Sequence, residues 1–471
     1  MKRLLALSLI LALLLTALPL ASFAADSDPV LYKQNDKGPE LLTIKNRLYE
    51  LQYFTSTKNF NETFTSSMTT VIKKLQKVNG LKQTGKITQS LYDLIFSDQC
   101  KNAYGVVWND MNNVNVSRQY VLQSDEQFTL SSLGNIVILS LDNFSNAYIP
   151  AFLEKYPNGM DMFSDFTYYS NCDPVYYCTY PSIAHMITGY NLTTDVTIGE
   201  WFHNAWSSDS SNYFFDKLKE NGYEFHLYTN TNANPGIKSE AIGKIQNLVH
   251  PSDFTGTLVY PKHETEFYDE IKAHGLTTTD RAKFVVFQHL GGLHTPYVTS
   301  AEGTHVEKST QQDSVMGWFT ILNAYLEEMK RLNLYDDATI IITADHGDKK
   351  QDMQCIYLIK EPHTTHDKLQ TTDAPISHDE FQSTILSFAG VAKSELPGKT
   401  IYDFSAGEER ERTIMANFYN KRYGKVPMYN GMGEGSHNVW YCFTYTGDNT
   451  DLEKRIKRGP SEIIKMNQSF N

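Results

Sequence analysis

Asn135–Phe144 reads NIVILSLDNF, and Cys178–Gly189 reads CTYPSIAHMITG. The first is a short apolar, β-branched run ending in Asp142, the pattern of a buried parallel strand. The second sets Thr179 just ahead of Pro181 and a small-residue helical run starting near Ser182, so a hydroxyl stands at a strand-to-helix turn. Far downstream, TIIITADHGD (Thr339–Asp348) repeats the first pattern and delivers Asp345 and His346 at a strand end. Taken singly, an Asp after a strand is an ordinary turn residue and a Thr before a helix an ordinary cap. Together they predict a metal-centred site at the carboxyl edge of an α/β sheet.

Outward from these stretches, strands and helices alternate from Gly134 onward, which predicts a mostly parallel sheet covered on both faces. The expected strands are Ile136–Leu141, Tyr223–Tyr228, Phe284–Gln288, Thr339–Thr343 and Cys355–Lys360. The expected helices are Ser182–Thr188, Asn212–Asn221, Ser314–Leu332 and Asp379–Ala389. In Ser314–Leu332, Val315, Trp318, Phe319, Leu322, Tyr325, Leu326 and Met329 form one apolar face. The tail after about Ala406 is charged and aromatic without a readable motif. GMGEGS near Gly433 lacks the preceding strand that a phosphate loop needs.

At the other end, Lys2-Arg3, the apolar run Leu4–Leu20 and the small-residue end at Ala24 read as a secretory signal peptide, residues 1–24. The run is short for a membrane span, so cleavage is expected and the mature chain should carry no transmembrane segment. Removing the leader deletes two basic residues and no acidic one, taking the net charge from −12 to −14. An acidic, exported chain is a poor candidate for nucleic-acid binding. Five cysteines are too few and scattered for a disulfide scaffold. Cys172 and Cys178 bracket a short loop beside Thr179 and could form one bridge; two reduced or buried thiols are the equal alternative.

Residues 36–98 form a compact unit. Leu41, Ile44, Leu48 and Leu51, then Val71, Ile72 and Leu75, then Leu91, Leu94 and Ile95 recur at helical spacing, with turns at Gly80 and Gly85. Three short helices can enclose a small core, and nothing catalytic is present. With its Leu-rich first helix, Tyr53-Phe54, Phe64-Thr65, Asn79-Gly80-Leu81, and Gly85 with Ile87, the unit resembles the peptidoglycan-binding domain type 1 family. Leu75-Gln76 stands where that family usually has Phe-Gln. The resemblance implies peptidoglycan or another wall polymer as partner, and a secreted, wall-associated protein. Residues 99–131 read as a connector, and 132–471 as the catalytic domain, with its core at about 134–391.

Asp142, Asp345 and His346 are oxygen and nitrogen ligands suited to Zn²⁺ or Mn²⁺, and a hydroxyl beside such an ion loses its proton readily. Gly134 to about Val391 resembles the sulfatase-like branch of the alkaline phosphatase superfamily. Thr179-Tyr180-Pro181-Ser182 before a helix ending in Thr188-Gly189 is similar to its nucleophile segment, and TADHGD to its Asp-His-Gly metal motif. The resemblance implies an alkaline-phosphatase-like α/β/α sandwich, beside the small three-helix domain. It implies Asp142, Thr179, Asp345 and His346 around one divalent ion, with Thr179 the nucleophile. FQHLGGLHTPY (Phe287–Tyr297) resembles the segment whose His-x-Pro-Tyr contacts the transferred group, here His294. His289, in the same segment, is the weaker candidate of the two, and His378 reads as structural.

Two departures refine the expected chemistry. Sulfatases carry Cys or Ser at the nucleophile position, converted to formylglycine, and an Arg two residues after the Pro; this chain has Thr179 and Ile183. Threonine cannot become that aldehyde, so a phosphotransferase or phosphodiesterase is expected, as in the phosphoethanolamine and phosphoglycerol transferases and nucleotide phosphodiesterases. A sulfuric ester hydrolase and a catalytically degenerate wall-binding protein are the alternatives. Only six residues separate Asp348 from Cys355, where relatives carry a longer loop, which leaves a second ion open, with His363 or His366 as its available ligand.

Overall fold

The computed structural model describes residues 28–51, 53–54, 60–97, 99–101, 121–122, 126–229, 237, 241–249, 264–348, 354–416, 439–446 and 462–465. The leader (1–24), most of the connector and the glycine-rich run at Gly433 lie outside the described residues. The chain divides into two compact units, Met1–Asp110 and Met111–Asn471.

In the first unit, β1 (Val30–Tyr32), α1 (Glu40–Glu50), α2 (Ser66–Val78), β2 (Ile87–Thr88) and α3 (Gln89–Phe96) follow in order. Thr65 and Thr88 start α2 and α3, their hydroxyls accepting the N–H of Met68 at 3.3 Å and of Leu91 at 3.4 Å. The expected faces meet: Leu41, Ile44 and Leu48 pack with Met68, Ile72, Leu75, Leu91 and Ile95, all buried. Gln76 is buried beside them, and its amide accepts the Gly85 N–H at 2.8 Å and donates to Thr84 Oγ1 and Lys86 O. That amide closes the turn between α2 and β2. The short antiparallel pairing of β1 with β2 has no counterpart in the helical periodicity.

The second unit is built on β3 (Asn135–Leu141), β4 (Thr167–Tyr169), β5 (Cys172–Asp173), β6 (Tyr223–Tyr228), β7 (Lys283–Leu290), β8 (Thr339–Ala344), β9 (Tyr357–Lys360), β10 (Gln370–Thr372) and β11 (Ile376–Ser377). Seven of these form one sheet in the order β10-β4-β9-β8-β3-β7-β6. β9 runs against its neighbours and the rest run one way, so the sheet is mostly parallel. Every residue of β3, β8 and β9 is buried, which requires cover on both faces. The helices supply it in two groups: α4 (Tyr148–Lys155) packs with α6 (Gln311–Arg331), and α5 (Thr179–Thr188) with α7 (Phe381–Phe388). All seven residues expected on the apolar face of α6 are buried. This α/β architecture with a mostly parallel sheet is the one the sequence implies.

Several element edges differ from those the sequence suggests. α5 starts at Thr179, three residues before the expected Ser182, with Cys178 as its N-cap. Pro181 read as a boundary, but it sits in the first turn, where no amide partner is needed. Cys355 stands before β9, in an isolated bridge to Ser145. The packing also runs past Val391. β12 (Glu411–Ala416), β13 (Val439–Thr446) and β14 (Glu462–Lys465) form an antiparallel sheet. Met415 exchanges backbone hydrogen bonds with Val175 and Tyr177. Trp440 is fully buried, 5.8 Å from the Tyr176 ring and 6.1 Å from the Tyr180 ring. The tail therefore buttresses the segment that leads into Thr179.

Candidate metal and nucleophile site

Parallel register creates the site. Leu141 at the end of β3 stands opposite Leu290 of β7 and Ala344 of β8, so Asp142, Gly291 and Asp345 leave the sheet at one edge. The Asp142 N–H donates to Leu290 O at 3.0 Å, and the Leu293 N–H donates to Asp142 O at 2.8 Å. Gly292 has φ +63, and a Cβ there would lie 2.0 Å from Asp142 O. Only glycine permits that approach. The turn carries His294 back over β3, leaving its Nε2 3.3 Å from Asp142 Oδ1.

From the other side comes α5. The Ser182 hydroxyl donates to Asp345 O and ties the first turn of the helix to the end of β8. Thr179 Oγ1 then lies 3.4 Å from His346 Nε2. The helix N-terminus presents backbone N–H groups and the positive end of its dipole on the same side, a favourable setting for an oxyanion.

Asp345 is fully buried, and its Oδ1 accepts the N–H groups of Asn143 at 3.1 Å and His346 at 2.8 Å. Burial opposes its charge, but His346 and His289 outweigh burial and hold the carboxyl well below the usual range. Its Oδ2 and Asp142 Oδ1 are buried acceptors that meet no hydrogen-bond donor. His346 Nδ1 lies 2.9 Å from Gly347 O, a contact that requires the proton on Nδ1 and turns Nε2 toward the carboxylates. That Nε2 is 3.5 Å from Asp142 Oδ1 and 3.6 Å from Asp345 Oδ2. These separations are long for N–H···O bonds. They suit ligands sharing one tetrahedral ion, which stand about 3.4 Å apart when each bond is near 2.1 Å. Two orphaned carboxylate oxygens and an imidazole facing one point are a donor set that fits a divalent cation.

The five residues expected at the site, Asp142, Thr179, His294, Asp345 and His346, converge at this edge. His294 is placed differently from a pure substrate contact. It is 55% exposed, yet its ring lies in ligand range of Asp142 and His346. The Asp142 carboxylate raises its pKa, against the effect of burial. His289, the weaker candidate of that segment, is buried near the end of β7 with Nε2 3.6 Å from Asp345 Oδ2 and no hydrogen-bond partner on that nitrogen. Its signal in the sequence was one position in the same strand-end motif that carries His294.

His363 and His366 do not approach this edge. β9 runs antiparallel to β8, so the chain leaving Lys360 emerges where β8 begins, at the opposite end. There the His363 N–H donates to Asp336 O and the His366 N–H to Asp165 Oδ1. The expectation that either offers a second-ion ligand fails on strand direction. His378 lies behind the sheet edge, its Nε2 3.5 Å from both Thr343 Oγ1 and Cys355 Sγ.

An α/β unit with acids, a histidine and a hydroxyl at its carboxyl edge thus follows a small helical unit. Residues 37–95 match the family model described as "Putative peptidoglycan binding domain", inside the 36–98 unit whose resemblance was read from the sequence. No curated protein matches the chain by sequence. Solved structures similar to it include a protein in the alkaline phosphatase superfamily from Vibrio parahaemolyticus, 14% identical, with a TM-score of 0.43 over 72% of this chain and 88% of that one. The lipoteichoic acid synthase LtaP from Listeria monocytogenes is 12% identical, with a TM-score of 0.38 over 74% of this chain and 94% of that one. The phosphonate monoester hydrolase SpPMH from Silicibacter pomeroyi is 12% identical, with a TM-score of 0.40 over 68% and 87%.

Proposed function

We propose that the chain is an exported, metal-dependent phosphotransferase or phosphodiesterase that uses Thr179 as nucleophile on phosphoesters of the cell wall or envelope. The observation that carries this reading is the pair of donorless buried oxygens, Asp142 Oδ1 and Asp345 Oδ2, facing His346 Nε2 beside the Thr179 hydroxyl. Asp142, Asp345, His346 and Thr179 would hold one Zn²⁺ or Mn²⁺. A bound ion would make the hydroxyl more acidic and offset charge on the transferring phosphoryl group.

The residues themselves set the geometry. Thr179 approaches phosphorus in line, and its oxygen forms the new P–O bond while the alcohol leaves opposite. The amides of the first turn of α5 bind non-bridging oxygens. His294 is 55% exposed, and the Asp142 carboxylate raises its pKa, which favours the protonated ring; it binds a phosphoryl oxygen or gives a proton to the departing alcohol. The phosphothreonine formed then passes its group to water or to an acceptor hydroxyl. Peptidoglycan binding by residues 36–98 would keep this chemistry at the wall.

Purified protein loaded with zinc or manganese, assayed on a phosphodiester, an aryl phosphate and an aryl sulfate, tests the reading. Turnover of a phosphoester that is abolished by a chelator, restored by the ion and lost in Thr179→Ala is expected. Turnover of sulfate esters alone would favour the sulfatase reading. Failure to bind either ion would favour a degenerate wall-binding protein.

A further inference from the structure

Behind the catalytic edge lies a second cluster that the proposed chemistry does not use. Cys172 opens β5, Cys355 precedes β9 and His378 follows β11; all three are buried. The sulfurs of Cys172 and Cys355 are 3.5 Å apart. Their backbones are adjacent too, since the Cys355 N–H donates to Cys172 O at 3.2 Å. A disulfide needs the sulfurs to close by about 1.5 Å more, within reach of small side-chain rotations once the main chains are paired. Burial raises the Cys172 thiol well above its ordinary value. Burial pushes Cys355 the same way, but the bond from Cys172 and the nearby His378 outweigh it and bring Cys355 down to about 5. Burial thus disfavours the thiolate at Cys172, while the Cys172 contact and His378 favour it at Cys355, an asymmetry of the kind thiol–disulfide exchange uses. A soft metal ion is the other occupant such atoms invite, but a tetrahedral thiolate site takes four ligands, and among the described residues this group has three.

We infer that Cys172 and Cys355 are joined by a disulfide when the chain folds in the presence of a low-molecular-weight disulfide, linking the nucleophile arm to the metal-ligand arm. Cys355, its proton passed to His378, attacks the donor disulfide and releases one donor thiolate. That thiolate takes the proton of Cys172, whose sulfur then attacks Cys355 and expels the second donor thiolate, protonated by His378. Two protein thiols are oxidised and one donor disulfide is reduced to two thiols. Both sulfurs are inaccessible in the finished fold, so the exchange belongs to a late stage of folding, with Cys172, Cys355 and His378 already together and the core still open to the donor. The bond ties a residue seven positions before Thr179 to one ten positions after Asp345. It replaces the short Cys172–Cys178 bridge considered from spacing.

The test is to refold the full chain in reduced and oxidised glutathione, alkylate it denatured but unreduced, and map its peptides by mass spectrometry. Cys172 and Cys355 peptides should appear joined, two hydrogens lighter than their sum. Reduction should lower the Tm of the wild type by several degrees and leave Cys355→Ser unmoved. If that variant does not fold, the wild-type peptide map decides alone. Alkylation of both thiols, a Cys172–Cys178 link, or zinc retained with both thiols unoxidised would each overturn the inference.

Discussion

At Thr179 a hydroxyl stands 3.4 Å from His346 Nε2 on the first residue of a helix, with buried carboxylate oxygens behind it. Its reactivity depends on that setting, so Thr179→Ala should lower phosphoester turnover by roughly 10³-fold or more while leaving thermal stability near wild type. Retained turnover would remove the residue from the chemistry. Gly292 is the other position where one atom decides. Gly292→Ala sets a methyl against Asp142 O. We expect it to cost about 1–3 kcal/mol of stability by overpacking and to weaken ion affinity, read by denaturant melts and metal titration. That Asp142, Asp345, His346 and Thr179 would meet at one edge was legible in the sequence because the first three follow short strands and the last opens a helix. His294, in a loop four residues past its strand, came from the resemblance of its segment. His289 was only weakly legible, because within an apolar strand run its one signal is its place in the motif that carries His294. Cys355 was not legible as the neighbour of Cys172, because strand pairing far along the chain, not spacing, brings them together.

The elements show where local signals held and where tertiary packing overrode them. α6 was legible because its apolar face repeats at helical spacing through Met329. Its start is set by chemistry outside that pattern. The Thr310 hydroxyl accepts the Asp313 N–H at 3.1 Å, and the Asp313 carboxylate binds Lys155 at 2.7 Å and the Tyr156 hydroxyl. Lys155 foremost, then Tyr156, hold Asp313 down to about 2. A carboxyl with its folded pKa depressed adds stability above its unfolded pKa of about 3.9 and loses it as pH falls toward 2. Asp313→Asn should therefore flatten the acid limb of stability between about pH 4 and pH 2; an unchanged limb would place the acid sensitivity elsewhere. The β12–β14 sheet was not legible, because its strands pair only with distant partners and its aromatics looked like any others. Trp440→Ala should cost about 3–5 kcal/mol by leaving a cavity beside Tyr176 and Tyr180, measurable by chemical denaturation. Loss of turnover in step would tie that sheet to the nucleophile arm.

Across the whole molecule, the proposed function divides the work between the two units, location in one and chemistry in the other. The unit within Met1–Asp110 carries the peptidoglycan-binding match and a closed helical core, with none of the site residues. Deleting residues 36–98 should abolish sedimentation with insoluble peptidoglycan and leave turnover of a small soluble phosphodiester within about twofold, as for independent units. Equal loss of both would show that the units act together. Among the described residues no helix is long and apolar enough to cross a membrane. The central claim is that Thr179 carries the transferred group. Mass spectrometry of zinc- or manganese-loaded protein, quenched during turnover of a phosphodiester, tests it most directly. A phosphoryl-type mass on the peptide holding Thr179, absent in Thr179→Ala, is the predicted result. Steady turnover with that peptide unmodified, or with the mass on another residue, would contradict it.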